Sequence, residues 1–217
     1  DKSSSALTGT AVNSPTLIQS GINGFPSVSF NGSSQYINFG NVLNMGTNHI
    51  YVFVVCQFSS TAGGGIVGKT SARGNPARWA LLRESGNMTM LIEGASVAIN
   101  NCTYADSSTR ARVLTGYWDR SNVFNLENGI QRAVVALADT SSLSNTDPLY
   151  VGAYPNSTGT GPQAGLYFGG TIAEIIVYQA ALTATQRQQV ETYLASKWGV
   201  SGLGLPSTHP YKKISPI

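Results

Sequence analysis

Phe168 to Val200 reads FGGTIAEIIVYQAALTATQRQQVETYLASKWGV, and this stretch decides the fold. A strand is expected over Thr171 to Tyr178, dense in Ile, Val and Tyr and preceded by Gly169-Gly170. A helix start follows at Thr183, with Gln186 three residues on in capping-box spacing. Val190, Leu194 and Trp198 then recur at helical spacing as one apolar stripe. Gly199 stands where a left-handed C-cap residue would, so the helix is expected over residues 183–198.

Upstream of this stretch the chain is written in strand signals. Val28 to Phe30 and Tyr36 to Phe39 flank Asn31-Gly32-Ser33-Ser34 and read as a hairpin. Ile50 to Phe58, IYVFVVCQF, is apolar on both parities, as a central strand buried on both faces would be. Trp79 to Leu82 and Met88 to Ile92 pair naturally across Ser85-Gly86-Asn87, and Val97 to Asn100 offers a further strand. Arg112 to Trp118 is followed by Asn122 to Glu127 and Ile130 to Val135, the last two joined by the strong turn dipeptide Asn128-Gly129. Leu149 to Ala153 completes the series. Strands about every 8 to 12 residues with one late helix predict an all-β antiparallel sandwich of about 12 to 14 strands.

Four of these segments carry a family resemblance, the first being FPSVSFNGSSQYINFG (25–40), which is similar to the F-x-G-x-x-x-Y-h opening hairpin of laminin-G-like domains, h being apolar. The strand Gly170-Thr171-Ile172-Ala173-Glu174-Ile175-Ile176-Val177-Tyr178, with the Ala181-Leu182-Thr183 turn after it, resembles the G-x-I-x-E-I-x-x-Y close of laminin-G-like domains. WDRSNVFNLENG (118–129) is similar to that family's W-x-x-x-x-x-V-x-L-Y-x-N-G hairpin, and LYVGA (149–153) to its L-x-I-G-x strand. The resemblance covers residues 25–200 and places the chain with the concanavalin A-like lectin/glucanase superfamily. It implies a jelly-roll β-sandwich with one short C-terminal helix at its edge, and a structural role for Glu174 in the last strand. On this reading residues 1–24 are a lead-in with little regular structure and residues 201–217 an extended tail. The tail, LPSTHPYKKISPI from Leu205, looks like tails in phage and large-virus structural proteins and in marine bacterial surface proteins. Its three prolines forbid a helix, and its apolar residues suit an ordered segment lying along the sandwich or a neighbouring chain.

Composition narrows the function. Charged residues make up 11% of the 217, against roughly 25% in an average globular protein, while the 41% apolar share suffices for a core. The net charge of +3 comes from scattered basic residues, without the clustered basic face that nucleic-acid binding needs. No apolar run is long enough for a membrane span, and no signal-peptide pattern stands at the N-terminus. A first residue of Asp1 rather than Met leads us to expect a processed or excised piece of a longer protein. Cys56 lies in an apolar run and reads as a buried free thiol, with a Cys56–Cys102 disulfide as the open alternative. Sequons stand at Asn31, Asn87, Asn101 and Asn156.

The motifs for chemistry are weak. GGGIVGKT (63–70) satisfies the phosphate-loop pattern, but Gly74 and Pro76 would break the helix that a phosphate site needs. Glycoside hydrolysis needs two carboxylates roughly 5 to 9.5 Å apart. The E-x-D-x-x-E strand of the superfamily's glucanases is missing, and no two of the ten acidic residues stand two apart. His49 and His209 sit in no catalytic or zinc-binding pattern. The expectation is therefore a protein that is not an enzyme and needs no cofactor. The resemblance leaves room for a calcium ion at Asp119 or Asp147.

Binding fits better. Arg73, Asn75, Arg78, Tyr104, Tyr154 and Asn156 fall on expected loops, where aromatic faces, amides and guanidinium groups would meet a sugar. Trp79, Trp118 and Trp198 are expected in the core. The reading is a carbohydrate-binding or adhesion module, extracellular, on a cell surface or on a virion, with a glycan or cell-surface polysaccharide as partner. The alternatives are a capsid or decoration protein docking on neighbouring structural chains through its termini, and a glycoside hydrolase or lyase on an unfamiliar site.

Overall fold

The computed structural model describes residues 6–61, 63–70, 77–94, 100–156, 158 and 160–201. Its strands in chain order are β1 (Thr10–Val12), β2 (Thr16–Ile18), β3 (Ser27–Asn31), β4 (Tyr36–Asn38), β5 (Ile50–Phe58), β6 (Gly64–Lys69), β7 (Arg78–Glu84) and β8 (Asn87–Glu93). They continue with β9 (Asn100–Ala105), β10 (Arg112–Trp118), β11 (Asn122–Glu127), β12 (Ile130–Ala136), β13 (Leu149–Val151), β14 (Ala153–Pro155), β15 (Pro162–Tyr167) and β16 (Gly169–Tyr178). One helix, α1 (Ala184–Lys197), follows. The strands form two sheets. One runs β12-β11-β10-β5-β16-β3-β2. The other runs β1-β4-β13-β6-β7-β8-β9, with β14 and β15 attached beside β6. All pairings are antiparallel except the single β6–β15 contact. The expected all-β sandwich with a C-terminal helix is what the chain builds, with somewhat more strands than expected.

β5 shows why the layers stack as they do. Ile50, Val52, Val54, Cys56 and Phe58 point into the main core between the sheets, with Trp79, Leu81, Met90 and Trp118. Tyr51, Phe53 and Val55 point to the other face and pack beneath α1 with Leu194, Ala195 and Trp198. Both parities are apolar because a sheet covers one face and a helix the other. Burying the Leu194 side chain alone contributes on the order of 2 kcal/mol to holding α1 down.

The helix ends are as expected. Thr183 accepts from the Gln186 N–H, and Gln186 in turn accepts from the Thr183 N–H, which closes the capping box. At the other end Gly199 is left-handed at φ 59°, and the Val200 N–H returns to the Ala195 carbonyl at 2.9 Å. The Asn128-Gly129 hairpin forms with both residues at positive φ, and so does the Ser85-Gly86 turn between β7 and β8.

Three expectations are corrected. Residues 27–38 do not form a hairpin, because β3 and β4 lie in different sheets. The Asn31 side chain accepts N–H groups from Ser33, Ser34 and Gln35, and the Gly32 N–H goes to the Phe168 carbonyl. The turn therefore arches from one sheet to the other instead of folding back. The segment before residue 24 is not irregular either, since β1 joins one sheet edge and β2 the other. The strand expected at 149–153 breaks at Gly152, whose φ of 87° and tight approach to the Phe30 ring admit no side chain. The strand expected from Val97 begins outside the described residues, as does the tail from residue 202 onward.

The phosphate-loop look-alike is a strand. A Cβ on Gly65 would stand 2.1 Å from the Tyr154 nitrogen, and one on Gly64 would stand 2.4 Å from the Tyr167 carbonyl oxygen. These glycines let β14 and β15 pack closely against β6. Lys69 is buried and donates to Asn41 Oδ1 and the Val42 carbonyl, so its amine is committed to the fold.

Candidate functional site

An open cleft of about 500 Å³ lies where α1 ends and the β11–β12 turn begins. Asn23, Gly199, Val200 and Ser201 line it near the end of α1, and Arg110, Glu127, Asn128, Ile130 and Arg132 line it from β10 to β12 and their turns. The orientation of its amides follows from their backbone bonds. Asn23 donates its side-chain N–H groups to the carbonyls of Trp198 and Gly199, at 2.9 and 3.0 Å, which leaves its Oδ1 as an acceptor. Asn128 accepts the Val113 N–H on Oδ1 at 2.9 Å, which leaves its NH2 as a donor. Ile130, 45% exposed, supplies an aliphatic wall. Fixed donors, a fixed acceptor and an apolar surface together are the equipment of a small-ligand site.

Behind the cleft lies a buried ionic cluster. Glu127 is ion-paired with Arg110, and its other oxygen accepts from the Tyr104 hydroxyl at 3.2 Å. Arg112, fully buried, pairs with Asp106, donates to Ser108 and stands 3.8 Å from Glu127. Arg83, also fully buried, lies 3.6 Å over the Phe58 ring and donates to the carbonyls of Ser60 and Ser108. Burial, and next the neighbouring Arg112 charge, push the Arg83 pKa down. The Arg132 guanidinium sits 5.3 Å over the Tyr104 ring. Burial, then the Glu127 charge, push the Tyr104 phenol well up, so it stays a hydrogen-bond donor.

The residues expected to bind are largely placed elsewhere. Arg78, Tyr104 and Tyr154 are buried strand residues rather than loop residues. Arg78 pairs with Glu93. Tyr154 packs with Ala80, Leu82, Leu91 and Leu166 on the outer face of the second sheet. Asn156 does sit in a loop, where Oδ1 accepts from Thr158 and Thr160 and shapes the turn. Arg73 and Asn75 lie outside the described residues. Of those that are described none lines the cleft, and Tyr104 meets it indirectly, as a support beneath Arg132.

The structural assignments fare differently. Glu174 accepts from the Trp198 indole, Lys197 and Tyr193, and so ties the last strand to α1. Trp79, Trp118 and Trp198 are buried. Cys56 and Cys102 are free and buried, with burial pushing their thiols up to about 12 and about 11. Asp119 accepts the N–H groups of Ser121 and Asn122 and so forms the turn into β11. Among the described residues no three His, Cys, Asp or Glu side chains gather as a metal site would require. No helix among them is long and apolar enough to cross a membrane.

No family model and no curated protein matches the sequence. Solved structures share its fold. The binding domain of Paraclostridial Mosquitocidal Protein 1 superposes with a TM-score of 0.70 at 11% identity, over 89% of this chain and 49% of that one. Domains LG4-5 of the mouse laminin alpha1 chain superpose at 0.54 and 16% identity, over 70% and 40%. The fold is laminin-G-like. The binding domain of Botulinum neurotoxin DC, solved in complex with SialylT, gives 0.62 at 9% identity over 88% and 48%. The chain thus spans about half the length of the structures it matches.

The cleft residues escaped the sequence because the fold assembles them. Asn128 was visible only as turn chemistry. Arg110 and Arg132 are isolated basic residues in the sequence, and Asn23 stands far from both, before β3.

Proposed function

We propose that the protein is a non-catalytic binding module that takes a carbohydrate in the cleft between α1 and the β11–β12 turn. The observation that carries this reading is the pre-oriented polar set of Asn23 and Asn128 beside the aliphatic Ile130 wall. Hydroxyl groups need donors and acceptors together, and sugar C–H faces need an apolar surface. The neighbours support a recognition role, since two are solved as toxin binding domains, one of them with SialylT. Catalysis has less to draw on. The one carboxylate lining the cleft, Glu127, is engaged by Arg110 and Tyr104, whereas glycoside hydrolysis needs two. Exposure on a cell surface or virion, outside the cell, suits such a module.

A glycan array probed with the full chain, with and without calcium, tests this reading. Binding that is lost in Asn128→Ala while the melting temperature holds would support it. A chain that binds no saccharide under either condition overturns it. A second reading, docking on a protein partner, is favoured by Leu17, Ile18 and Phe25, which are exposed at and beside the edge strand β2. The Botulinum neurotoxin DC binding domain has also been solved with rat synaptotagmin II. Capture on structural partners, unaffected by Asn128→Ala but lost in Leu17→Asp, would favour that reading.

A further inference from the structure

We propose that the saccharide taken by the cleft carries an oxyanion, a carboxylate or a sulfate, and that Arg110 and Arg132 hold it. The proposal rests on the carbohydrate reading above and specifies the chemical class of its ligand. It begins from a charge imbalance. Arg83, Arg110, Arg112 and Arg132 gather around Tyr104, Phe58 and Glu127, against the two carboxylates of Asp106 and Glu127. Four guanidinium groups against two carboxylates leave a surplus of two positive charges in a protein poor in charge.

Access divides the four. Arg83 and Arg112 are fully buried, and their donors are spent on Ser60, Ser108, Asp106 and the Arg110 carbonyl. Their charge cannot reach a ligand by contact, but it raises the potential of the cleft in front of them. Arg110 and Arg132 line that cleft. Arg110 keeps about half of its side chain exposed while one terminal nitrogen holds Glu127, so the guanidinium still meets solvent at the cleft. Its remaining described partner is the Ser108 hydroxyl. Among the described residues Arg132 has no carboxylate within ion-pair distance, and the Tyr104 ring fixes one face of its guanidinium. A guanidinium offers a planar fork of donors that matches an oxyanion. Asn128 NH2 adds a donor at the same wall, and Asn23 Oδ1 accepts from a hydroxyl across it. One oxyanion on one sugar ring satisfies this set. A neutral sugar would leave the surplus charge unanswered.

The full chain is titrated with 3′-sialyllactose, a sulfated lactose, lactose and inorganic sulfate, at low and at physiological salt. The expected result is that at least one anionic saccharide binds about tenfold more tightly than lactose, with a preference that shrinks as salt rises. Arg132→Ala should reduce the preference to near unity, and Arg132→Lys should retain part of it. Arg132 is exposed and has no described ion pair, so the variant should melt as the wild type does. Arg110→Lys, which keeps a charge for Glu127, is the second variant and should also lose preference. Equal binding of lactose and the anionic sugars overturns the oxyanion proposal but leaves the carbohydrate reading standing. So does a preference untouched by both Arg variants. Inorganic sulfate binding as tightly as the anionic sugars would overturn the saccharide part. Failure of all four probes overturns the proposal, and the glycan array separately decides whether the carbohydrate reading falls with it.

Discussion

The Trp198 indole N–H donates to Glu174 Oε2 at 2.7 Å, which joins the C-terminal end of α1 to the last strand of the sheet beneath it. Lys197 and Tyr193 bind the same carboxylate. Apolar contact on α1 is concentrated in a few residues, so this polar anchor matters to where the helix sits. Glu174→Ala should cost about 1–3 kcal/mol in urea unfolding, and Glu174→Gln, which still accepts from Trp198, should cost less. A wild-type midpoint in Glu174→Ala would show that the anchor is dispensable.

Gly65 stands where two backbones meet. A methyl group there would press into the Ala153–Tyr154 peptide, and backbone cannot yield as a side chain can. Gly65→Ala should destabilise by about 2 kcal/mol or more, or prevent soluble expression. Gly86→Ala, at φ 76° in open space, should cost only the roughly 1–2 kcal/mol of left-handed strain. Thermal melts of the two variants side by side check the ranking.

Lys69 predicts a pH dependence. Burial lowers its pKa from 10.5 to about 8, against a weaker opposing pull from Asp147. A folded pKa below the unfolded one contributes stability that is full above the unfolded value and is lost as pH falls through the folded value. The wild type should therefore gain stability relative to Lys69→Met as pH rises from 8 to 10.5, by on the order of 1–3 kcal/mol. Parallel stability curves for the two proteins across that window would contradict it.

Tyr104 and Tyr154 should part company. Tyr104→Phe keeps the ring under Arg132 and removes one bond to Glu127, with a stability loss of about 1 kcal/mol and near-normal saccharide affinity. Tyr104→Ala removes the ring and should weaken affinity through Arg132. Tyr154→Ala should lower the melting temperature and leave affinity unchanged, because Tyr154 packs on the far sheet. Calorimetric titration with the best saccharide of the array separates the three.

Local chemistry made much of the fold legible. The capping box at Thr183, the Asn128-Gly129 turn and the double-sided apolarity of β5 each depend on neighbours in sequence. The arch at Asn31 shows where that reasoning stops. Its turn residues suit a hairpin and an inter-sheet crossing equally, and the choice is made by Phe168, far along the chain. The burial of Tyr104 is hidden in the sequence for a different reason. In β9 Cys102 and Tyr104 are buried while Asn101 and Thr103 are exposed, a period-two pattern carried by mostly polar residues and so easily read as loop. The cleft needed long-range topology, since Asn23, Arg110, Arg132 and Val200 meet only once the β12-to-β2 sheet and the helix are in place.

The pairing of β5 with β16 sets the order in which the chain can mature. Val54 lies opposite Ile175, about 120 residues later, and β3 also waits for β16. During synthesis the most apolar strand of the protein emerges about 60 residues before β10 covers one of its edges and about 120 before β16 covers the other. Such distant pairing slows closure and leaves a hydrophobic edge open to other chains. The low charge of the sequence gives that waiting strand little electrostatic protection. Yield on expression should therefore depend on temperature and on chaperone supply more steeply than the stability of the finished sandwich would suggest.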